Sequence, residues 1–374
     1  MRIALDCRAL CSAITGGGQY TYHLINELAR LDGNNEYFLC SPRDIALPHN
    51  ADKAQNIEVR INRYPLGIMW QQIGLPAILR DLKIDLFHSP LGTLPIFSIT
   101  PSVITILDLT TILMPQTHSW KMRLSVNSLI RSAARKARRI IAISDHTKKD
   151  IVEHLNIRED KVTSIPLGVD PRFKPLEACD GRMDSIRQKY SRGEEYILYM
   201  GTLEPRKNLV FLLQVYEKLV NREPCMPKLV LAGGKGWKYS PIFRLINSVD
   251  TLKKNVICPG YIPDGDLPYL YSAAELFVYP SLYEGFGLPT LEAMACGTPT
   301  ITSNSSSLPE VVGEGGITLD PLDASAWDTA IQETLHNLNL RQELKLRGIR
   351  QAKKFTWETT ARATLELYSQ ITEQ

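Results

Sequence analysis

Short runs, most of them apolar rather than alternating, recur along the chain, too brief for buried helices and mostly too continuous for strands with one wet face. Arg2–Leu5, Tyr37–Leu39, Val59–Asn62, Leu86–His88, Val103–Leu107, Ile140–Ile143 and Thr163–Ile165 form the first set. Strands covered on both faces read this way, because a parallel sheet carries crossover helices on either side. Helical patterns fall between them, at Tyr20–Ala29, Trp70–Asp81, Met122–Ala137 and Thr147–Leu155. The alternation predicts a doubly wound α/β domain.

It then breaks. "PLGVDPRFKPLEACDGRMDSIRQKYSRGEE" holds three prolines and three glycines with little apolar periodicity, and reads as a linker leading into a short helix. The pattern restarts with strands at Tyr196–Met200, Leu229–Ala232, Val256–Cys258, Leu276–Tyr279 and Thr300–Thr302. A chain of 374 residues exceeds one ordinary core, and its 44% apolar content suffices for two. The expected architecture is α/β, two Rossmann-like domains in tandem over residues 1–172 and 173–354. The tail 355–374 is expected to be a helix packing back on the first domain. Open α/β sheets bind ligands beyond the carboxyl ends of their strands, so the two sets of strand ends are expected to line one cleft.

Several classes are set aside. No apolar run approaches the roughly 18 residues of a membrane-spanning helix. Asp6 and Arg8 interrupt the N-terminal apolar run, so no signal peptide is read there. The seven cysteines are odd in number and scattered, and read as reduced core residues of a cytoplasmic protein. Cys7 and Cys11 lack a second pair or a nearby histidine, so no metal site is expected. Net charge is only +3, yet no acidic residue stands between Asp108 and Asp145, where seven basic ones do. That stretch reads as a solvated helix face or as a surface for a polyanion such as anionic lipid.

The motifs sit at predicted strand ends. In "YPSLYEGFGLPTLEAMACGTPTITS", a strand leads through a turn to a helix whose first position suits Pro289. The amides of Gly287 and Leu288 then lie at a helix N-terminus, where unpaired donors favour an anion. Glu284 and Glu292 flank the turn and suit sugar or ribose hydroxyls; they read equally as a turn residue and a dipole partner. In "YILYMGTLEPRKNL", Arg206 and Lys207 are expected to open the next helix, a poor place for cations unless an anion lies between. Gly16, Gly17 and Gly18 read as a loop before a helix starting near Gln19. This loop matches neither a dinucleotide fingerprint nor a Walker loop. In "CPGYIPDGDLPYLYSAAE", the backbone at Tyr261 and Ile262 can face a flat base, while Asp264 and Asp266 read as turn and cap residues.

"GTLEPRKNL", "GYIPDGDLPYLYSAAELFVYPSLYEGFGLPTLEAMACGTPTITS" and "TGGGQYTYHL" resemble the retaining glycosyltransferases of family four, with the GT-B fold. The two glutamates with seven residues between, Glu284 and Glu292, are the most specific mark. The resemblance implies transfer of a hexose from a nucleotide sugar in polysaccharide biosynthesis, without a metal. It implies a donor held mainly by the C-terminal domain and an acceptor, glycan or lipid-linked, held mainly by the N-terminal one. It implies Arg206 and Lys207 on the diphosphate, Glu284 on the donor sugar and Glu292 on the ribose. Gly285 belongs to the same turn, whose amides at Phe286, Gly287 and Leu288 would meet hydroxyls and phosphate. Gly17 and Gly18 would face the phosphate, and Tyr261 and Ile262 the base. UDP-glucose and GDP-mannose both fit, with the uridine form preferred. One departure stands out. Where relatives carry His-Asp-Leu, this chain reads Leu107-Asp108-Leu109, keeping the aspartate as a catalytic candidate and leaving His88 as a replacement for the histidine. His118 reads as a surface loop residue.

Other readings stay open at this stage: a glycoside hydrolase using both glutamates, a sugar-nucleotide epimerase or phosphorylase, and a nucleotide-sugar-binding protein with weakened catalysis. No nucleic-acid partner is implied. The basic stretch from Lys121 to Arg139, with Met69, Trp70, Ile73 and Leu75 as a greasy companion or as core, suggests peripheral attachment to an anionic membrane face.

Overall fold

The computed structural model describes residues 1–11, 16–64, 67–117, 120–176 and 181–372, excluding the side chains of 68, 117, 120–125 and 372. Cys179 and His118 lie outside the described residues. The chain divides into two compact units, one of Met1–Pro115, Ser119–Gly168 and Thr356–Gln374, the other of Gln116–His118 and Val169–Phe355.

The first unit holds a seven-stranded parallel sheet. Its strands are β1 Arg2–Asp6, β2 Glu36–Ser41, β3 Ile57–Ile61, β4 Leu86–Ser89, β5 Ser102–Ile106, β6 Arg139–Ala142 and β7 Val162–Ser164, in the order β3-β2-β1-β4-β5-β6-β7. Apart from the edge strands β3 and β7, nearly every strand residue is buried, which explains the continuous apolar runs. One cluster joins Phe38, Phe87, Ile104 and Ile140 to Trp70, Leu75 and Leu79, to Ile130, Ala133 and Ala134 of the helix Trp120–Lys136, and to Ala137 just after it. Trp70 and Leu75 are therefore core, whereas Met69 and Ile73 are exposed. The proposed greasy face is thus halved by burial.

The helix Trp357–Thr372 belongs to this unit and is tied in by aromatic and polar contacts. Trp357 stacks on His23 at a centroid distance of 4.8 Å. Tyr368 Oη meets His88 Nδ1 at 2.5 Å, and His88 Nε2 meets Thr105 Oγ1 at 2.8 Å.

The second unit repeats the plan with six parallel strands, ordered β10-β9-β8-β11-β12-β13. They are β8 Tyr196–Met200, β9 Lys228–Ala232, β10 Val256–Gly260, β11 Leu276–Tyr279, β12 Thr300–Ser303 and β13 Ile317–Leu319. The short edge strand β13, half-buried throughout, went unread in the sequence. The order reverses between β8 and β11, which pair at Leu276 with Ile197 and Phe277 with Leu198. Connections leaving two such neighbours run to opposite sides, opening a crevice at their carboxyl ends.

The six described cysteines are free. Cys7, Cys40 and Cys296 are buried, but Cys225 is exposed, so the reading of all of them as core residues fails there.

Candidate functional site

In the second unit, β8 runs into the segment Gly201–Lys207 and β11 into Pro280–Gly287. Because β8 and β11 are neighbours, motifs nearly eighty residues apart leave the sheet side by side. Arg206 and Lys207 do not open a helix. They close a 3-10 turn, Pro205–Lys207, and Asn208 with φ +57° separates them from the helix Leu209–Arg222. The anion they need is part of the chain. Lys207 Nζ lies 2.5 Å from Glu284 Oε1, and Arg206 Nη1 lies 2.9 Å from Glu284 Oε2.

These groups are out of water: Glu284 is 7% exposed and Lys207 6%. Ser281 Oγ also donates to Glu284, and Lys207 donates to Tyr279 Oη at 2.6 Å. Arg206 Nη2 lies 2.8 Å from Oε1 of the buried Glu204 and its Nη1 donates to the Tyr283 carbonyl. Two cations and two carboxylates share one pocket. Burial opposes the charge on Glu284, but Arg206, Lys207 and the hydrogen bonds from Lys207 and Ser281 prevail and bring its pKa down to about 2. Burial raises the Glu204 carboxyl and lowers the Lys207 ammonium, with neighbouring opposite charges working against both shifts.

The turn after Glu284 is pinned from the next strand end. Ser306 Oγ accepts from the Glu284 amide, and Ser307 Oγ donates to the carbonyls of Glu284 and Phe286. Phe286 packs edge-on against Phe355. Gly287 takes φ +103°, and a Cβ there would stand 2.6 Å from Leu308 Cδ2. The helix is Leu288–Ala295, so Pro289 occupies its second position rather than its first; its missing N–H is harmless at either. Among the described residues, the amides of Phe286, Gly287 and Leu288 have no protein acceptor. The buried Thr290 hydroxyl beside them has no partner either. Unspent donors at a helix N-terminus next to paired cations form a place for an anion.

Glu292 stands apart from the cation cluster. It is half-buried, and Tyr271 Oη donates to its Oε2 at 2.7 Å. Burial pushes its pKa up to about 7, against the Tyr271 hydrogen bond and the charge of Arg172. Tyr261 follows Gly260 at the end of β10 and is 71% exposed, while Ile262 is buried. Asp266 does not cap its helix by its side chain; it accepts from Lys189 and Tyr190 instead.

The other candidates belong to the first unit. The helix there is Gly16–Leu31, so Gly17 and Gly18 form its first turn rather than a preceding loop. A Cβ on Gly17 would lie 3.3 Å from Leu107 Cδ1 and 3.4 Å from Leu91 Cδ2. Just beyond β5, Asp108 accepts from the Thr110 amide at 3.0 Å and from its hydroxyl at 2.6 Å. His88 is no replacement for the histidine missing at Leu107. It is wholly buried, both ring nitrogens are engaged, and burial holds its pKa down at about 3.

Sequence reasoning missed Glu204, Tyr279, Ser281, Ser306, Ser307 and Tyr271. The first three lie within five residues of predicted site residues, so proximity was their available signal. The serines of "SNSSSLP" join the site through the β11–β12 pairing, which no local pattern announces. Among the described residues, no three His, Cys, Asp or Glu side chains converge as metal ligands.

Residues 183–351 match the family described as Glycosyl transferases group 1, and residues 14–173 match Glycosyltransferase Family 4. The chain is 32% identical over 382 residues to the O-antigen chain mannosyltransferase B of Escherichia coli, covering 98% of this chain and 99% of that protein. It is 35% identical over 241 residues to the serotype-specific mannosyltransferase WbdA of Escherichia coli, covering 63% of this chain but 29% of that longer protein. Among solved structures, Anabaena HepE, crystallised with UDP and glucose, superposes with a TM-score of 0.76 at 20% identity, over 99% of this chain and 100% of that one. At that identity the likeness speaks for the fold. The chain belongs to the family 4 glycosyltransferases of GT-B type.

Proposed function

We propose that this glycosyltransferase moves a mannosyl residue from a nucleoside-diphosphate sugar to a growing glycan or lipid-linked acceptor, with retention of configuration. The transferred sugar rests on the two Escherichia coli relatives, both named mannosyltransferases. The work is assigned to polysaccharide synthesis at the inner, cytoplasmic face of a membrane.

The observation that carries the donor reading is the buried Lys207–Glu284–Arg206 cluster beside the unpartnered amides of Phe286, Gly287 and Leu288. As the glycosidic bond breaks, negative charge gathers on the leaving phosphate oxygen. Fixed cations and amide donors stabilise that charge without reorganising, and such stabilisation commonly lowers the barrier more than any other effect. Glu284 has about four acceptor sites, and three go to Lys207, Ser281 and Arg206, leaving one for a sugar hydroxyl. With a pKa of about 2 it is no proton acceptor at neutral pH. The acceptor's proton therefore passes to the departing phosphate oxygen as the hydroxyl attacks from the same face. Glu292 holds the ribose, the chain at Tyr261 and Ile262 the base, and Gly285 keeps the turn compact. In the first unit, the amides of Gly17 and Gly18 are assigned to phosphate and Asp108, fixed by Thr110, to the donor sugar.

The test is incubation of the purified protein with GDP-mannose and with UDP-glucose, each with a lipid-linked and a short mannoside acceptor. Release of the nucleoside diphosphate with a glycan longer by one hexose, its new linkage keeping the donor configuration by NMR, is the expected result. An inverted linkage refutes retention. Release of free sugar alone refutes transfer, and turnover of UDP-glucose alone refutes mannose.

A further inference from the structure

The first unit carries an apolar prominence that nothing in its fold requires. Between β4 and β5 the chain passes through Pro95–Pro101, where Ile96 is 53% exposed, Phe97 86% and Ile99 99%. Ile73, beside Gln72 in the chain, is 54% exposed. Isolated apolar side chains are ordinary on a surface, but a cluster of large ones marks an interaction site. The segment is also fastened. The Ile96 amide donates to Gln72 Oε1 at 2.9 Å, and Lys136 Nζ donates to the carbonyls of Pro95 and Ile96 at 2.8 and 2.6 Å. Ser98 is buried between the exposed tips, and the Phe87 amide donates to the Pro101 carbonyl at 2.9 Å.

Lys136 ends the helix Trp120–Lys136, so the prominence and that helix are joined. The helix contains no carboxylate. Its outer side holds a recess lined by Ser128, Arg131, Ser132, Arg135 and Lys136. The Arg138 amide donates to the Ser102 carbonyl at 2.8 Å, which brings another exposed cation to the foot of β5. Cations and hydroxyls suit phosphodiester headgroups; Phe97 and Ile99 suit the boundary beneath, where headgroups give way to acyl chains. Among the described residues no helix is long and apolar enough to cross a bilayer.

We propose that the Pro95–Pro101 segment and the Ser128–Lys136 recess together dock this enzyme onto an anionic lipid bilayer, the segment inserting and the recess holding headgroup phosphate. This deepens the membrane placement proposed above and rests on it.

The test is co-sedimentation of the full chain with phosphatidylcholine vesicles, with and without phosphatidylglycerol. The wild type is expected to bind the anionic vesicles and to release as salt rises from about 0.05 to 0.5 M. Phe97→Ser with Ile99→Ser, and separately Arg135→Glu, are expected to weaken that binding about tenfold or more. Both variants should keep the wild-type Tm and transfer to a water-soluble acceptor, since these side chains face solvent. Vesicle binding by both variants at the wild-type level overturns the proposal while leaving membrane attachment standing. Absence of wild-type binding removes the attachment itself and leaves glycosyl transfer untouched. If the double variant instead turns a dimer into a monomer with no change on vesicles, the prominence faces a second copy and the proposal falls.

Discussion

Glu284→Gln separates charge from shape at the centre of the site. Glutamine keeps the volume and the acceptor oxygen but leaves Lys207 and Arg206 with a neutral partner in a pocket almost closed to water. Breaking a buried pair from one side typically costs about 3–5 kcal/mol. Glu204 still balances Arg206, so the lower end, about 3 kcal/mol, is expected near neutral pH. The sharper signature is in pH. The folded pKa of Glu284 is about 2 against an ordinary 4.5. A depressed carboxylate pKa gives stability that is present above the ordinary value and lost as pH falls towards the folded one. Between pH 6 and 3.5 the unfolded chain takes up this proton while the folded chain does not, and the wild type gives up about 1.4 kcal/mol through this group. The glutamine variant has no such proton to bind. The stability gap between the two proteins should therefore shrink by about 1.4 kcal/mol over that interval. Urea titration followed by tryptophan fluorescence at both pH values measures the gap, with other titrating groups common to both proteins. A gap that stays constant would show that Glu284 is not held as an ion, and the electrostatic account of the site would be wrong.

Lys207→Ala is expected to lower kcat about a hundredfold, near 3 kcal/mol of barrier, with a smaller change in KM; a steady-state assay showing only a KM effect would assign the lysine to ground-state binding. With a pKa of about 7, Glu292 loses most of its charge by pH 6. If its ionised form holds the ribose, nucleoside diphosphate affinity should fall several-fold more from pH 8 to 6 in the wild type than in Glu292→Gln, the ligand's own phosphate titration being common to both, as isothermal calorimetry can record. Gly287→Ala places a Cβ 2.6 Å from Leu308 Cδ2 at a φ of +103°. A loss of about 1–2 kcal/mol on urea denaturation follows from the backbone alone, with donor binding weakened further.

Much of the fold was legible because burial on both faces leaves a mark in the residues themselves. "IAL", "YILYM" and "LFVY" are apolar throughout, and each lies in a strand of a parallel sheet. The edge strand β13 escaped because three half-buried residues carry no such mark. Gly16–Gly18 were read as a loop before a helix starting near Gln19, but the helix begins at Gly16, where a Cβ on Gly17 would lie close to Leu91 and Leu107. At the site, the residue types were legible but their partners were not. Arg206 and Lys207 looked misplaced at a helix start; in fact they face Glu284, brought to them by the β8–β11 pairing. His88 illustrates the same limit: only tertiary structure reveals that Tyr368 and Thr105 occupy both sides of its ring.

The first unit is assembled from chain on both sides of the second. During synthesis, the stretch Val169–Phe355 leaves the ribosome before Trp357–Thr372, so the later unit in sequence can fold while the earlier one still waits. Until Tyr368 arrives, the His88 imidazole lacks its hydroxyl partner and His23 its stacking ring. A nascent chain stalled in that interval exposes an unfinished sheet face, the species on which chaperones and proteases act.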